Sequence, residues 1–143
     1  MATLISHSPA DTEALGERFG RAAQRGWVIA LSGDLGAGKT QFVRGVARGL
    51  GIAGRVHSPT FTLVNEYGGG RLKLFHLDLF RLETAEQILS AGIEEYLSPD
   101  GVSVVEWAER IYDGRRAIRD LKKVQIAIVS ETERKIIYDD FGS

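Results

Sequence analysis

The sequence predicts an α/β fold in three layers, built on a mixed sheet with parallel core strands and antiparallel hairpins. Two apolar runs predict the parallel core: one from Trp27 to Leu31 leads directly into a glycine-rich loop and a helical pattern, and another follows Gly101. Continuous apolar strands are typical of a sheet that is covered on both faces. Segments with a period of two on either side of turn residues predict the hairpins.

The length and composition favour a single domain that spans residues 1–143. A domain of this length buries roughly two thirds of the surface that its unfolded chain exposes, so its core needs no disulfide or structural metal. The chain has no cysteine, which excludes thiolate metal sites and cysteine nucleophiles. Its formal net charge of −1 argues against a domain that binds nucleic acid by bulk charge alone.

The N-terminal residues carry neither the basic region nor the long apolar run of a signal peptide. No segment approaches the roughly 18 consecutive apolar residues of a membrane-spanning helix. We therefore expect a cytoplasmic protein that does not contact a membrane.

The first predicted helix begins at Ser8. The Ser8 hydroxyl can cap the helix, Pro9 suits the first helical position, and Asp11 lies near the positive end of the helix dipole. An apolar stripe at helical spacing follows, and we expect the helix to end before Gly26.

The segment GDLGAGKT follows the first core strand and matches G-x-x-x-x-G-K-[ST], the pattern of a phosphate-binding P-loop. Its glycines let backbone N–H groups approach phosphate oxygens, and the helix predicted from Lys39 to Leu50 adds partial positive charge. Lys39 should reach the terminal phosphates, and the Thr40 hydroxyl can bind Mg²⁺. The fold is therefore expected to be P-loop NTPase-like. The candidate phosphate-binding residues are Gly33, Asp34, Leu35, Gly36, Ala37, Gly38, Lys39 and Thr40.

Later elements follow from periodicity and turn chemistry. TFTLVNEY and RLKLFHLDLF flank Gly68 to Gly70 and predict a hairpin with a short glycine loop. The capping-box pattern TAEQ, which begins at Thr84, predicts a helix towards Leu97. VQIAIV and KIIYD, on either side of SETER, predict a final hairpin.

Two acidic residues lie where predicted strands end, Asp78 in FHLDLF and Glu106 in SVVEW. Beside a P-loop, either carboxylate could hold Mg²⁺ directly or through water, or position an attacking water. Either could instead be a solvated carboxylate or half of a salt bridge. His76 lies on the same strand face as Asp78, and we expect it to have a structural or hydrogen-bonding role.

Three further features are open to interpretation, and two of them have two interpretations each. Thr60 in HSPTF could offer its hydroxyl to Mg²⁺ or a γ-phosphate, as in a GTPase switch, or simply cap a strand. Trp107 could be buried core, which is the usual fate of a Trp after an apolar strand. The basic run from Arg115 to Lys123 could be a solvated face or a contact for RNA or an acidic partner.

GDLGAGKT, SPTF, HLDLFRL and VVEWAER, in this order and spacing, resemble the bacterial ATPase family of tRNA threonylcarbamoyladenosine biosynthesis, the TsaE family. The resemblance covers nearly the whole chain. It implies ATP binding with Mg²⁺, and weak ATPase activity that is raised by a ligase subunit and its inactive paralogue. Those partners would transfer a threonylcarbamoyl group to the adenosine beside the tRNA anticodon, so contact with tRNA would be indirect.

The resemblance also implies roles for individual residues. The P-loop from Leu35 to Thr40 would surround the phosphates of ATP. Thr40 and Glu106 would be the leading metal ligands, and Asp78 would support the metal or the γ-phosphate. The expected catalytic residues are Lys39, Asp78 and Glu106.

Four more residues are implied as parts of the ATP site. Thr60 would supply the switch-like hydroxyl, and Trp107 would lie near the nucleotide or a partner. Ser8 and Arg134 would approach the base or the phosphates from the two ends of the chain. One departure is visible, because family members commonly have Tyr where this chain has Phe80.

Two other functions share the same loop. A small-molecule or nucleotide kinase could use Asp78 as the base for a substrate hydroxyl. An adaptor without significant hydrolysis could bind nucleotide to select a partner. A GTPase is poorly supported, because the sequence lacks an N/T-K-x-D element for guanine.

Overall fold

The computed structural model describes residues 1–34, 36–53, 64–79, 95–96, 99–106 and 120–140. These residues form seven strands and two helices. In chain order they are β1 (Ala2–Ser6), α1 (Pro9–Ala22), β2 (Val28–Gly33), α2 (Lys39–Gly49), β3 (Val64–Tyr67), β4 (Leu74–Asp78), β5 (Val102–Glu106), β6 (Leu121–Ile128) and β7 (Arg134–Tyr138).

The strands form one mixed sheet in the order β1-β7-β6-β2-β5-β4-β3. The four central strands β6, β2, β5 and β4 are mutually parallel. Strands β3 and β4 at one end, and β6 and β7 at the other, are antiparallel hairpins. The predicted mixed sheet, with parallel core strands and antiparallel hairpins, is confirmed. Because the central strands are parallel, their carboxyl ends meet at one edge, where the P-loop leaves β2.

Strand β1 was not predicted from the sequence. It pairs antiparallel with β7, from Ala2 opposite Tyr138 to Ser6 opposite Arg134. Its residues alternate between half-buried and exposed as far as Ile5, which is the period expected of a strand with one covered face. The strand delivers the chain directly to the start of α1.

Helix α1 begins as predicted. Ser8 has extended backbone angles (φ −162°, ψ 162°), and its Oγ accepts a hydrogen bond from the Asp11 N–H at 3.2 Å. Pro9 occupies the first helical position. At the other end, the Arg71 guanidinium donates to the carbonyl oxygens of Gly20 and Ala23 at 2.8 and 2.9 Å. The helix therefore ends before Gly26, as expected.

Helices α1 and α2 touch along their backbones, a contact that was not predicted from the sequence. Gly16 and Gly20 of α1 face Gly45 and Gly49 of α2. A Cβ atom at Gly45 would lie only 2.0 Å from the carbonyl oxygen of Glu13. The close contact fixes the start of α1 relative to the P-loop helix.

Buried apolar side chains form a cluster on each face of the sheet. Helices α1 and α2 cover one face, with Phe19 and Phe42 in an edge-to-face contact. The other face carries a smaller cluster around Val28 and Val105, against which Tyr96 packs. The helix predicted from Thr84 towards Leu97 lies almost wholly outside the described residues. In the described part of the chain, no helix is long and apolar enough to cross a membrane.

Two strand boundaries differ from the prediction. Strand β4 begins at Leu74 rather than Arg71, because the Arg71 N–H donates to the carbonyl of Leu50 at 2.7 Å and leaves the hairpin. The hairpin loop is therefore longer than the glycine triplet. Strand β6 begins at Leu121, where it pairs with Val28 of β2. The last lysines of the basic run thus lie in a strand, and Lys122 Nζ is 4.9 Å from the centroid of the Trp27 ring.

Candidate functional site

The P-loop connects the end of β2 to the start of α2, and its conformation requires glycine at both ends. Gly38 immediately precedes α2 with a left-handed backbone (φ 103°, ψ 22°), which a side chain would strain. The Gly38 carbonyl then accepts from the Phe42 N–H at 3.1 Å and opens the helix. At the other end of the loop, a Cβ atom on Gly33 would lie 2.7 Å from the carbonyl oxygen of Ile126. The glycines are thus required by the conformation of the loop.

A cavity of about 800 Å³ lies above the P-loop. Its walls come from the start of α1, the P-loop, the carboxyl ends of β4 and β5, and the turn between β6 and β7. Its volume is in the range that holds a small molecule or nucleotide. The lining residues are His7, Ser8, Pro9, Thr12, Gly36, Ala37, Gly38, Lys39, Thr40, Gln41, Asp78, Glu106, Glu131, Thr132 and Arg134.

Lys39, Glu106 and His76 form a buried polar cluster beside this cavity. The Lys39 Nζ lies 3.6 Å from Oε1 of Glu106, and the His76 Nε2 lies 2.5 Å from its Oε2. The three residues are 7%, 4% and 0% exposed, in the order Lys39, Glu106, His76. A buried carboxylate requires such partners, because burial without them is costly. The expected hydrogen-bonding role of His76 is confirmed.

The strand register explains how this cluster forms. Asp78 of β4 lies opposite Glu106 of β5, and Val104 lies opposite His76. Side chains two residues apart on a strand share a face. His76, Asp78 and Glu106 therefore lie on the same face of neighbouring strands, close to the first turn of α2.

The start of α1 closes one side of the cavity. The Ser6 hydroxyl contacts the Thr12 hydroxyl and the carbonyl of Ser8, each at 2.8 Å. The Nδ1 atom of His7 lies 3.2 Å from a carboxylate oxygen of Glu133, in the turn between β6 and β7. The β1–α1 junction and this turn are thus joined across the rim.

Arg134, the first residue of β7, contacts the P-loop through backbone carbonyls. Its Nε donates to the carbonyl of Ala37 and its Nη2 to that of Gly36, each at 3.2 Å. Its Nη1 donates to the carbonyls of Ser130 and Glu133 at 2.7 and 2.9 Å. One guanidinium group therefore bridges the P-loop and the β6–β7 turn.

A sequence model of the family described as "Threonylcarbamoyl adenosine biosynthesis protein TsaE" matches residues 6–136. The chain belongs to the TsaE family. It is 39% identical over 136 residues to the tRNA threonylcarbamoyladenosine biosynthesis protein TsaE of Bacillus subtilis, covering 95% of this chain and 84% of that protein. It is 46% identical over 107 residues to the protein of the same name from Treponema pallidum, covering 75% and 78%.

The fold agrees with a solved structure. The chain superimposes on a crystal structure of YdiB from Bacillus subtilis with a TM-score of 0.78 and 34% identity, covering 99% of this chain and 86% of that one. The P-loop-like α/β fold is therefore confirmed, and membership of the TsaE family places this protein in tRNA threonylcarbamoyladenosine biosynthesis.

In this TsaE-family structure, most of the predicted site residues that are described meet at one cavity. Gly33 and Asp34 belong to the loop but are not among the described lining residues. Gly33 packs against β6, and the Asp34 carbonyl accepts from the Ala37 N–H at 3.0 Å. Leu35, Thr60, Phe80 and Trp107 lie outside the described residues. The predicted residues that line the cavity are Ser8, Gly36, Ala37, Gly38, Lys39, Thr40, Asp78, Glu106 and Arg134.

Much of the remaining cavity wall was not predicted from the sequence. His7, Thr12, Glu131 and Thr132 carry no motif, and they reach the site only because β1 and β7 pair at the end of the sheet. The partner of His76 was also missed. The spacing between His76 and Asp78 predicted that they share a strand face. The contact between His76 and Glu106 depends on β4 lying beside β5.

The cavity contains oxygen atoms of the kind that Mg²⁺ prefers. Among the residues that the structure describes, no group of three or more His, Cys, Asp or Glu side chains could hold a metal ion by itself. The cavity does offer the Thr40 hydroxyl and the carboxylates of Asp78 and Glu106. Mg²⁺ commonly uses one or two carboxylates together with substrate phosphates, rather than a complete protein cage. The oxygen atoms of this TsaE-family site would therefore fit Mg²⁺ only together with further oxygen ligands, such as those of a phosphate group.

Proposed function

We propose that this protein binds ATP with Mg²⁺ and hydrolyses it, and that hydrolysis supports threonylcarbamoyl transfer to the adenosine beside the tRNA anticodon. The observation that carries the proposal is the P-loop at the floor of the cavity, with the ammonium of Lys39 beside the carboxylate of Glu106. P-loop NTPases combine a loop lysine that contacts the terminal phosphates with a separate carboxylate that holds Mg²⁺.

The P-loop would hold the phosphates by charge and by backbone donors. Backbone N–H groups at the start of α2 and the helix dipole both favour an anion there. Lys39 would move from Glu106 to the terminal phosphates and stabilise the charge that develops on them during transfer. Because Lys39 is 7% exposed, this interaction would take place largely out of water, where a charge pair is stronger.

The carboxylates of Asp78 and Glu106 would act on the metal ion and on the attacking water. Asp78 and Glu106, with the Thr40 hydroxyl, would hold Mg²⁺ or position the attacking water, while Mg²⁺ would neutralise phosphate charge when it is bound. His76 contacts one oxygen of Glu106 and so limits the rotation of that carboxylate. Lys39, Asp78 and Glu106 are therefore the proposed catalytic residues.

We propose the ligase subunit and its inactive paralogue as partners, in the cytoplasm. Membership of the TsaE family supports the pathway, and the near-neutral net charge supports an indirect relation to tRNA. The partners would raise a weak intrinsic rate, in the way that activating proteins complete the sites of other P-loop enzymes.

Calorimetric titration tests the binding half of this function. ATP is titrated into the purified protein with and without Mg²⁺, and GTP is titrated under the same conditions. We expect saturable binding of ATP that strengthens with Mg²⁺ and exceeds the binding of GTP. Absence of ATP binding would overturn the proposal, and tighter binding of GTP would overturn the choice of nucleotide.

A further inference from the structure

The Arg134 side chain is engaged by backbone carbonyl oxygens. The guanidinium donates to carbonyl oxygens of Gly36 and Ala37 in the P-loop, and to those of Ser130 and Glu133 in the β6–β7 turn. Four backbone carbonyls therefore accept from one side chain. The planar, five-donor guanidinium suits such a contact, whereas a lysine ammonium is a compact point charge with three donors.

We propose that Arg134 is a positioning residue that presets the P-loop for phosphate by fixing two of its peptide planes. This inference rests on the proposed function, since the ligand is the phosphate of ATP. In a trans peptide the C=O and N–H groups point in opposite directions. Holding the Ala37 carbonyl therefore also fixes the direction of the Gly38 N–H, at the start of α2.

The loop needs such a restraint because glycines flank these peptide planes. Gly36 and Gly38 both have left-handed backbones, with φ of 82° and 103°, and glycine changes conformation at little steric cost. In the Gly36–Ala37 plane, Arg134 holds the carbonyl while the N–H donates to the carbonyl of Asp34. Because that N–H is used within the loop, the donor that can face phosphate belongs to the Ala37–Gly38 plane. A rotation of that plane would turn the Ala37 carbonyl oxygen towards the position of the Gly38 N–H, and would replace a donor for phosphate with a repelling dipole.

Arg134 can act as a fixed support because its own backbone is held on both sides. It lies opposite Ser6 in β1 and opposite Ile128 in β6. The β6–β7 turn is further tied to the β1–α1 junction by the contact between His7 and Glu133. The restraint on the P-loop is thus transmitted from the sheet rather than from another loop.

The positive charge of Arg134 adds an electrostatic effect. A cation beside the carbonyl oxygens of Gly36 and Ala37 polarises those peptide groups and strengthens their N–H groups as donors. Arg134 therefore strengthens the binding of phosphate by the P-loop without contacting the phosphate itself. Any nucleotide with a β-phosphate benefits, so the effect on ATP and on ADP should be equal.

Hydrogen–deuterium exchange on the nucleotide-free protein tests this role directly. The variants are Arg134→Lys, which keeps the charge, and Arg134→Ala. The matched control is Arg71→Lys, because Arg71 also donates to backbone carbonyls but at the far end of α1. We expect faster exchange in peptides covering residues 36–42 in both Arg134 variants, with unchanged exchange in β2, and no change at the loop in the control. Unchanged exchange of the loop in Arg134→Lys and Arg134→Ala would overturn the proposal.

Fluorescence titrations with ATP and ADP separate this role from direct phosphate contact. We expect Arg134→Lys to weaken both nucleotides equally, by about tenfold, which corresponds to the net worth of one or two hydrogen bonds. A loss of ATP affinity with unchanged ADP affinity would instead show direct contact with the γ-phosphate and overturn the proposal. If wild-type protein bound neither nucleotide, the proposed function would fail, whereas the exchange experiment would still decide whether Arg134 holds the loop.

Discussion

The Nε2 atom of His76 lies 2.5 Å from Oε2 of Glu106, and both side chains are buried. Glu106 ends a central parallel strand beside the P-loop, and its other carboxylate oxygen faces Lys39 at 3.6 Å. In the described part of the chain, Nδ1 of His76 has no hydrogen-bond partner, so the ring meets the polar cluster through Nε2. Because a carboxylate oxygen can only accept, Nε2 donates the hydrogen bond in this contact. The carboxylate of Glu106 thus accepts a hydrogen bond from β4 and pairs with the ammonium of Lys39 at the start of α2.

Replacing His76 tests whether this contact orients Glu106 for the reaction. In His76→Ala, one carboxylate oxygen loses a buried partner, which costs about 1–3 kcal/mol. We expect slower ATP hydrolysis with little change in ATP affinity, measured as phosphate release and equilibrium binding. His76→Gln, which can still donate a hydrogen bond, should recover part of the rate. Equal losses in both variants, or a loss confined to thermal stability, would contradict an orienting role.

Removing the ammonium of Lys39 tests the site assignment. In Lys39→Ala we expect a loss of ATP affinity or turnover, because the terminal phosphates lose their nearest cation. Lys73→Ala is the matched control, since Lys73 pairs with Glu66 at 3.1 Å and is 59% exposed. Calorimetry and phosphate release measure the effects. Wild-type binding and hydrolysis by Lys39→Ala would be incompatible with the assignment.

Neutralising the two carboxylates separately distinguishes their roles. Glu106→Gln removes the negative charge beside Lys39, so ATP binding should persist or tighten while hydrolysis falls by at least about a hundredfold. Asp78→Asn should raise the Mg²⁺ concentration needed for half-maximal binding or activity. If Asp78→Asn left the Mg²⁺ requirement unchanged and Glu106→Gln raised it, Asp78 would lose its proposed part in holding the metal and Glu106 would be the carboxylate that supports it.

The same Glu106→Gln variant separates an ATPase from an adaptor. An adaptor that needs only bound nucleotide would still support the ligase and its paralogue in tRNA modification. An ATPase would allow at most an early round of product and then stall. Sustained product formation by Glu106→Gln, with hydrolysis absent, would favour the adaptor.

The contact between α1 and α2 predicts a strong effect on stability. In Gly45→Ala the new Cβ atom would lie 2.0 Å from the carbonyl oxygen of Glu13, so the helices must separate. We expect a loss of about 1–3 kcal/mol, the usual cost of overpacking, measured by denaturant or thermal unfolding. Gly68→Ala is the matched control, because no atom lies within 4 Å of the Cβ position there. Equal stability of the two variants would show that the helices can separate without cost.

Local chemistry explains which parts of the fold could be predicted. Ser8 and Pro9 mark the start of α1 within a few residues, and the P-loop motif indicates both the strand before it and the helix after it. Strand β1 was missed because its short alternating segment becomes a strand only by pairing with β7. The β3–β4 loop was predicted too short because the contact of Arg71 with Leu50 involves distant residues.

The same distinction holds for the site. Lys39, Thr40 and the loop glycines were recognised because one short motif contains the phosphate chemistry. The contact of Arg134 with Ala37 joins residues that are 97 positions apart, and no local pattern signals it. The glycine contacts between α1 and α2 likewise depend on how two helices cross. The residues of the phosphate-binding motif could be predicted from the sequence, whereas the residues that hold the motif in place were visible only in the tertiary structure.

The most direct test of the central claim is the rate of phosphate release from ATP by the purified protein, measured alone and with the ligase subunit and its inactive paralogue. We expect a low rate for the protein alone, a higher rate with the pair, and loss of both rates in Lys39→Ala. Phosphate release that is absent under both conditions, or that persists in Lys39→Ala, would contradict it.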